Sequence, residues 1–137
     1  MTPATLGGFG LDPDTACARD RALSWVSISP FGRGGPWGER PATEFTLQAW
    51  CGSTAMRGTT DRPPIAAGGR LGEWIGGAYA AVAALTAHHR AVRSGDGAHV
   101  DVSLFEVMTI TMAPNWSTTR SSRAGTSASA ASTRSMR

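Results

Sequence analysis

Gly68-Gly69-Arg70-Leu71-Gly72-Glu73-Trp74-Ile75-Gly76-Gly77, then an Ala-rich run, then Arg93-Ser94-Gly95-Asp96-Gly97-Ala98-His99-Val100-Asp101-Val102-Ser103-Leu104, is the stretch whose reading decides the fold. Gly68, Gly69 and Gly72 break any preceding element, and from Trp74 to Ala87 there is no charge. His88, His89, Arg90 and Arg93 place positive charge where a helix C-terminus favours it, and Gly95 suits a left-handed stop. These signals predict a helix over 73–93. Its uncharged part is about 21 Å long at 1.5 Å per residue, too short for the roughly 20 residues of a membrane span. It is therefore expected to be buried in protein, with alanines allowing close approach of neighbours and Ile75, Tyr79, Val82 and Leu85 supplying bulk. The alternation of Val100, Val102 and Leu104 with Asp101 and Ser103 predicts a strand over 99–104.

Working outward, Leu11-Asp12-Pro13-Asp14-Thr15 reads as a helix start, with Asp12 as cap and Pro13 in the first turn, and the helix is expected over 13–21. Residues 23–29 predict a strand closed by Pro30. Phe31-Gly32-Arg33-Gly34-Gly35-Pro36-Trp37-Gly38 is a glycine-rich loop after that strand. It lacks both the GxxxxGK[ST] and the GxGxxG spacing of a phosphate cradle, so it is read as a mobile surface loop. Residues 41–52 predict a short amphipathic helix with Glu44 in its first turn and Phe45, Leu47, Ala49 and Trp50 on its apolar side. The order strand, short helix, long helix, strand predicts an α/β fold, with both strands in one sheet and the long helix packed on it.

Composition excludes several classes of function. All 13 basic residues are Arg, and four of them (Arg120, Arg123, Arg134 and Arg137) follow Trp116. Residues 1–116 carry nine Arg against ten acids, a net of −1, so the overall pI near 9.7 belongs to the last 21 residues and argues for no nucleic-acid partner. Those 21 residues hold seven Ser and four Thr and no aromatic, a composition that cannot offset its ordering entropy. Residues 117–137 are expected to be a disordered tail of the kind a frameshift leaves, following a domain over 1–116. Cys17 and Cys51 lack CxxC spacing and metal-ligand company, so they read as reduced thiols with no metal site. No charged segment followed by an apolar run opens the chain, so the cytoplasm is the expected compartment, with no membrane partner.

Several motifs stand in register: Ser27-Ile28-Ser29-Pro30-Phe31-Gly32 with Gly35-Pro36, Glu44-Phe45-Thr46-Leu47-Gln48-Ala49 with Gly52, Pro63-Pro64, Gly72-Glu73, and Gly95 through Leu104. Over about residues 5–113 the chain thereby resembles the family III CoA-transferases, the group that includes formyl-CoA transferase, carnitine CoA-transferase and α-methylacyl-CoA racemase. The resemblance implies a partial Rossmann-like large domain and an internal piece of a longer enzyme whose subunits form interlaced homodimers. It also implies CoA transfer between an acyl-CoA and a small carboxylic acid, with coenzyme A as substrate and no permanently bound cofactor.

By the same resemblance Glu73 occupies the position of the family's nucleophilic Asp, one methylene longer. Pro41, Ala42 and Thr43 would line the CoA pantetheine, and Glu44 would stand in the active-site wall beside the thioester. The racemase branch carries a His immediately before this acid and the present chain has Thr43, so CoA transfer is expected ahead of racemisation, which needs a second base. His88, His89 and His99 are read as structural or solvated. A noncatalytic remnant that binds a partner subunit is the alternative of a different class.

Overall fold

Local sequence signals set most of the elements in the computed structural model, which describes residues 7–59 and 61–112. α1 (Pro13–Arg19) begins where the Asp12 carboxylate accepts hydrogen bonds from the Thr15 N–H at 3.0 Å and the Thr15 hydroxyl at 2.8 Å. α2 (Glu44–Trp50) opens on a capping box: Thr43 Oγ1 accepts from the Thr46 N–H at 3.2 Å, and Thr46 Oγ1 accepts from the Thr43 N–H at 2.8 Å. A 3₁₀ turn over Thr54–Met56 follows. α3 (Leu71–Ser94), 24 residues long, ends at Gly95, whose φ of 74° is the left-handed stop the sequence announced and whose N–H donates to Ala91 O at 2.8 Å.

β1 (Trp25–Ser29) and β2 (His99–Ser103) lie parallel, with Val26 opposite Val100 and Ile28 opposite Val102. A parallel pair requires a crossover, and α2 and α3 supply it. β2 runs directly into α4 (Leu104–Met112). The Ser103 hydroxyl accepts from the Glu106 N–H at 3.3 Å, so the last strand residue also caps the helix. Leu104 is thus helical and not part of the strand. The expected strand at 23–29 likewise starts at Trp25, the expected helix at 13–21 ends at Arg19, and the long helix starts two residues before 73.

The two expected strands share one sheet and α3 packs on it, giving the α/β arrangement the sequence predicted. One core cluster gathers Leu47, Cys51 and Met108 with Phe31, Ala42, Leu104, Phe105 and Met112 around them. The other gathers Ala80, Val102 and Val107 with Val26, Ile75, Ala83 and Val100.

The face α3 presents to this core corrects the expectation that Tyr79, Val82 and Leu85 supply its buried bulk, while Ile75 does pack inward. Its buried residues are Gly72, Gly76, Ala80, Ala87 and Ala91, a stripe of small side chains, whereas Trp74 is 79% and Leu85 70% exposed, with Tyr79 and Val82 also outward. Small residues win the inner face because α4 crosses close by: a Cβ at Gly76 would collide with Leu104. α2 is corrected in the same way. It buries Leu47 and Gln48, while Phe45 and Trp50 are exposed.

Cys17 and Cys51 are both free thiols. Among the described residues no helix is long and apolar enough to cross a membrane, and no group of His, Cys, Asp and Glu gathers to hold a metal ion. The tail expected at 117–137 lies outside the described residues.

Candidate functional site

The N-terminus of α3 leaves its first N–H groups without intrahelical acceptors. Its N-cap, Arg70, offers no side-chain acceptor to them. One is supplied from α2: Glu44 Oε1 accepts from the Gly72 N–H at 2.8 Å and from Gln48 Nε2 at 2.8 Å. Gln48 lies one turn beyond Glu44 on the same helix face, is fully buried, and pairs with the backbone of Ala67 in both directions. Its Oε1 accepts from the Ala67 N–H at 2.7 Å and its Nε2 donates to Ala67 O at 3.3 Å. The other carboxylate oxygen of Glu44, Oε2, is buried with no hydrogen-bond partner in the described structure.

Glu73 follows Gly72 in the first turn of α3 and is half-buried. Its Oε1 pairs with Arg70 Nη2 at 2.6 Å; the Arg70 side chain is largely exposed, and an ion pair of that kind contributes about 0–1 kcal/mol. With Arg70, Trp74, Gly77 and Ala78 it lines a cleft of about 690 Å³. All five come from the N-cap and first two turns of α3, so the wall that the described residues give this cleft is a single helix face.

The remaining residues singled out in the sequence are spread along the entry to α2. Pro41 is exposed, Ala42 packs against the Leu47, Cys51 and Met108 cluster, and Thr43 is committed to its capping box. Beside them stands an aromatic group that sequence reasoning did not assemble. Trp37 meets Phe31 edge-on at 5.4 Å and Trp50 at 4.8 Å, Phe105 completes the group, and the Arg40 guanidinium lies over Trp50 at 4.2 Å. The glycine-rich loop is consequently anchored, by Trp37 in this group and by the Arg33 N–H donating to Asp101 Oδ2.

The histidines lie apart from this site. His88 and His89 are exposed in the last turns of α3, and His99 at the start of β2 shares a 2.9 Å hydrogen bond between its Nε2 and Ser27 Oγ. Gln48 and Arg70 were not anticipated. The i,i+4 spacing of Glu44 and Gln48 was the available signal for the first.

Residues 1–136 match the profile described as CoA-transferase family III. Similar curated proteins include the succinyl-CoA–D-citramalate CoA-transferase of Chloroflexus aurantiacus, 34% identical over 104 residues that are 76% of this chain and 26% of that protein. The acetyl-CoA:oxalate CoA-transferase of Acetobacter aceti is 31% identical over 105 residues, 76% of this chain and 27% of that protein. The crystal structure of a CAIB/BAIF family protein from Brucella suis superposes with a TM-score of 0.76 at 31% identity, covering 82% of this chain and 30% of that one. The chain spans about a quarter of the length of the curated relatives it matches.

Proposed function

Because this chain belongs to CoA-transferase family III, we propose that it carries the nucleophile-bearing segment of an enzyme that moves CoA between an acyl-CoA and a small carboxylic acid, with Glu73 as the nucleophile. The observation that carries the reading is a carboxylate in the first turn of a 24-residue helix, on the wall of an open cleft and paired, among the described residues, with an exposed Arg70 alone. A weak, solvent-facing ion pair yields to substrate at little cost.

In the reaction so read, a Glu73 oxygen attacks the thioester carbonyl carbon, the C–S bond breaks, and CoA leaves as the thiolate while a mixed acyl–glutamyl anhydride forms. The thiolate then attacks the glutamyl carbonyl, releasing the donor acid and leaving CoA as a thioester on Glu73. An acceptor carboxylate attacks that thioester in turn, and the thiolate returns to the acceptor's acyl carbon, regenerating the Glu73 carboxylate. No oxidant, metal or permanent cofactor is consumed. Backbone N–H groups near the helix start are suited to hold the oxyanions that develop.

In this reading Pro41, Ala42 and Thr43 line the pantetheine, chiefly through backbone atoms because the Thr43 hydroxyl is already engaged. Glu44 forms the wall behind the thioester. The two free cysteines agree with a cytoplasmic setting, and the outward Trp74, Val82 and Leu85 agree with subunits that interlace. Racemisation is disfavoured: Thr43 stands where a base would be needed, and His88, His89 and His99 lie elsewhere.

Since the described residues give the cleft one wall and the chain spans about a quarter of its relatives' length, the 137-residue chain by itself is expected to give no measurable transfer, because productive geometry needs a closed, rigid pocket. The test is a chimera in which residues 7–112 replace the matching segment of the Chloroflexus enzyme, incubated with acyl-CoA and trapped with hydroxylamine. A hydroxamate on Glu73, and loss of transfer in Glu73→Gln, are the expected results. Trapping on another residue, or full activity of Glu73→Gln, would overturn the nucleophile assignment.

A further inference from the structure

We propose that Gln48 and Glu44 are positioning residues that set the turn carrying Glu73, a role that rests on the CoA-transfer reading above. The turn has little hold of its own. Gly68 and Gly69 precede it, Gly69 sits at φ 74°, and Arg70 contributes no capping side chain. A helix start reached through two glycines is free to fray and to shift along its axis.

Two side chains from α2 grip the backbone on both sides of those glycines. Before them, Gln48 pairs with Ala67 through both its amide atoms, fixing that residue as a neighbouring strand would. After them, Glu44 Oε1 holds the Gly72 N–H, the amide next to the proposed nucleophile. The two grips are one unit because Gln48 Nε2 also donates to Glu44 Oε1 and aims it. The fit is tight: a Cβ at Gly72 would lie 2.7 Å from Met108 Cε and 2.9 Å from Glu44 Oε2. Gln48 has no exposed surface, so its amide cannot serve solvent or substrate. Its polar atoms are all spent on Glu44 and Ala67, which is how a buried polar side chain is retained in a core. The clamp thereby determines where the Cα of Glu73 sits, and a displacement near 1 Å there lowers a reaction rate roughly a hundredfold.

Amide exchange in the 137-residue chain tests the clamp without reference to catalysis. Gly72 N–H should exchange about tenfold more slowly than Leu71 N–H, and Gln48→Ala or Glu44→Ala should abolish the difference while leaving the Ala80 amide unchanged. Glu44→Gln, which retains an acceptor, should keep Gly72 protected. Equal exchange of Gly72 and Leu71 in the parent chain, or protection that survives both alanine variants, would overturn the clamp. In the chimera, Gln48→Ala should lower kcat by roughly tenfold to a hundredfold with KM for acyl-CoA changed less than about threefold. Unchanged kcat alongside lost Gly72 protection would reduce the clamp to a structural cap and overturn the positioning role. Failure of the nucleophile assignment is seen separately, as activity in Glu73→Gln.

Discussion

Replacing Gly72 by alanine isolates the closest approach in the site. The new methyl would meet Met108, which is fully buried and surrounded by Leu47, Cys51 and Phe105, so the thioether has no free direction in which to retreat. It would also stand 2.9 Å from Glu44 Oε2 and push the carboxylate away from the Gly72 N–H. Overpacking of this kind costs about 1–3 kcal/mol. Alanine's better helix propensity returns at most about 1 kcal/mol. With the full propensity gain subtracted the net expected loss is about 0–2 kcal/mol, a fall in melting temperature of up to roughly 15 °C for a domain of this size. Gly77, five residues on, is exposed with nothing within 4 Å of its would-be Cβ, so Gly77→Ala should gain up to about 1 kcal/mol. Thermal melts followed by far-UV circular dichroism compare the pair. In a Met108→Ala background the Gly72→Ala cost should shrink by about 0.5–3 kcal/mol, because the colliding thioether is gone. A Gly72→Ala chain that melts above the parent would refute the reasoning, as would a cost indifferent to Met108.

Three further outcomes follow from the same geometry. Thr43→Ala removes the acceptor for the Thr46 N–H and should cost about 1 kcal/mol in denaturant unfolding; Thr43→Ser should restore most of it. Gly95→Ala forces a side chain into the left-handed region at φ 74° and should cost about 1–2 kcal/mol, with fraying at Arg93 and Ser94 detectable by amide exchange. Hydrogen bonds from Thr15, backbone first and then side chain, hold the Asp12 carboxyl below its usual 3.8. A depressed folded value means that its contribution to α1 is present above that unfolded value and is lost as the pH falls through the lower folded one. Thr15 amide protection should therefore fade on acidification below about pH 3.8, and Asp12→Asn should remove that dependence.

The legible parts of the fold are those written in adjacent residues. Asp12 before Pro13, Thr43 before Glu44, and Gly95 after Ser94 each act on a backbone group a few positions away, so the sequence announces them at short range. The two strands were visible because Val100 and Val102 alternate with polar residues and residues 23–29 run into Pro30; their parallel direction was not read from the sequence. The direction in which α3 faces was not. The sequence predicts Tyr79, Val82 and Leu85 with Ile75 as the packing bulk, but the close approach of α4 at Gly72 and Gly76 turns the small-residue stripe inward, with Ile75 at its edge and the other three exposed. Glu44 was legible as a first-turn acid. Its partner was not, since Gly72 is 28 residues further along and an N–H acceptor at that range leaves no periodic trace.

The site thereby divides its labour between two helices. α3 contributes the carboxylate and the small stripe that lets it lie close to α4, yet its N-cap residue Arg70 offers no side-chain cap to its first turn. α2 supplies that constraint through Glu44 and Gln48, and α2 is itself held by the Thr43–Thr46 box and by Leu47 in the core. A disturbance at Thr43, although it touches neither Glu73 nor the cleft, would pass along α2 to Glu44 and so to Gly72. Under the nucleophile role proposed for Glu73, a side chain one methylene longer than the Asp that the family resemblance implies there makes this dependence stronger. One more rotatable bond must be ordered before attack, so the precision that a shorter side chain supplies by itself has to come from where the backbone is held and from what pairs with the carboxylate. Arg70 is the only such partner among the described residues, and it is exposed. The proposed backbone clamp is therefore the part of the constraint that the described residues supply, and in this reading further precision at the carboxylate is left to whatever packs over the cleft.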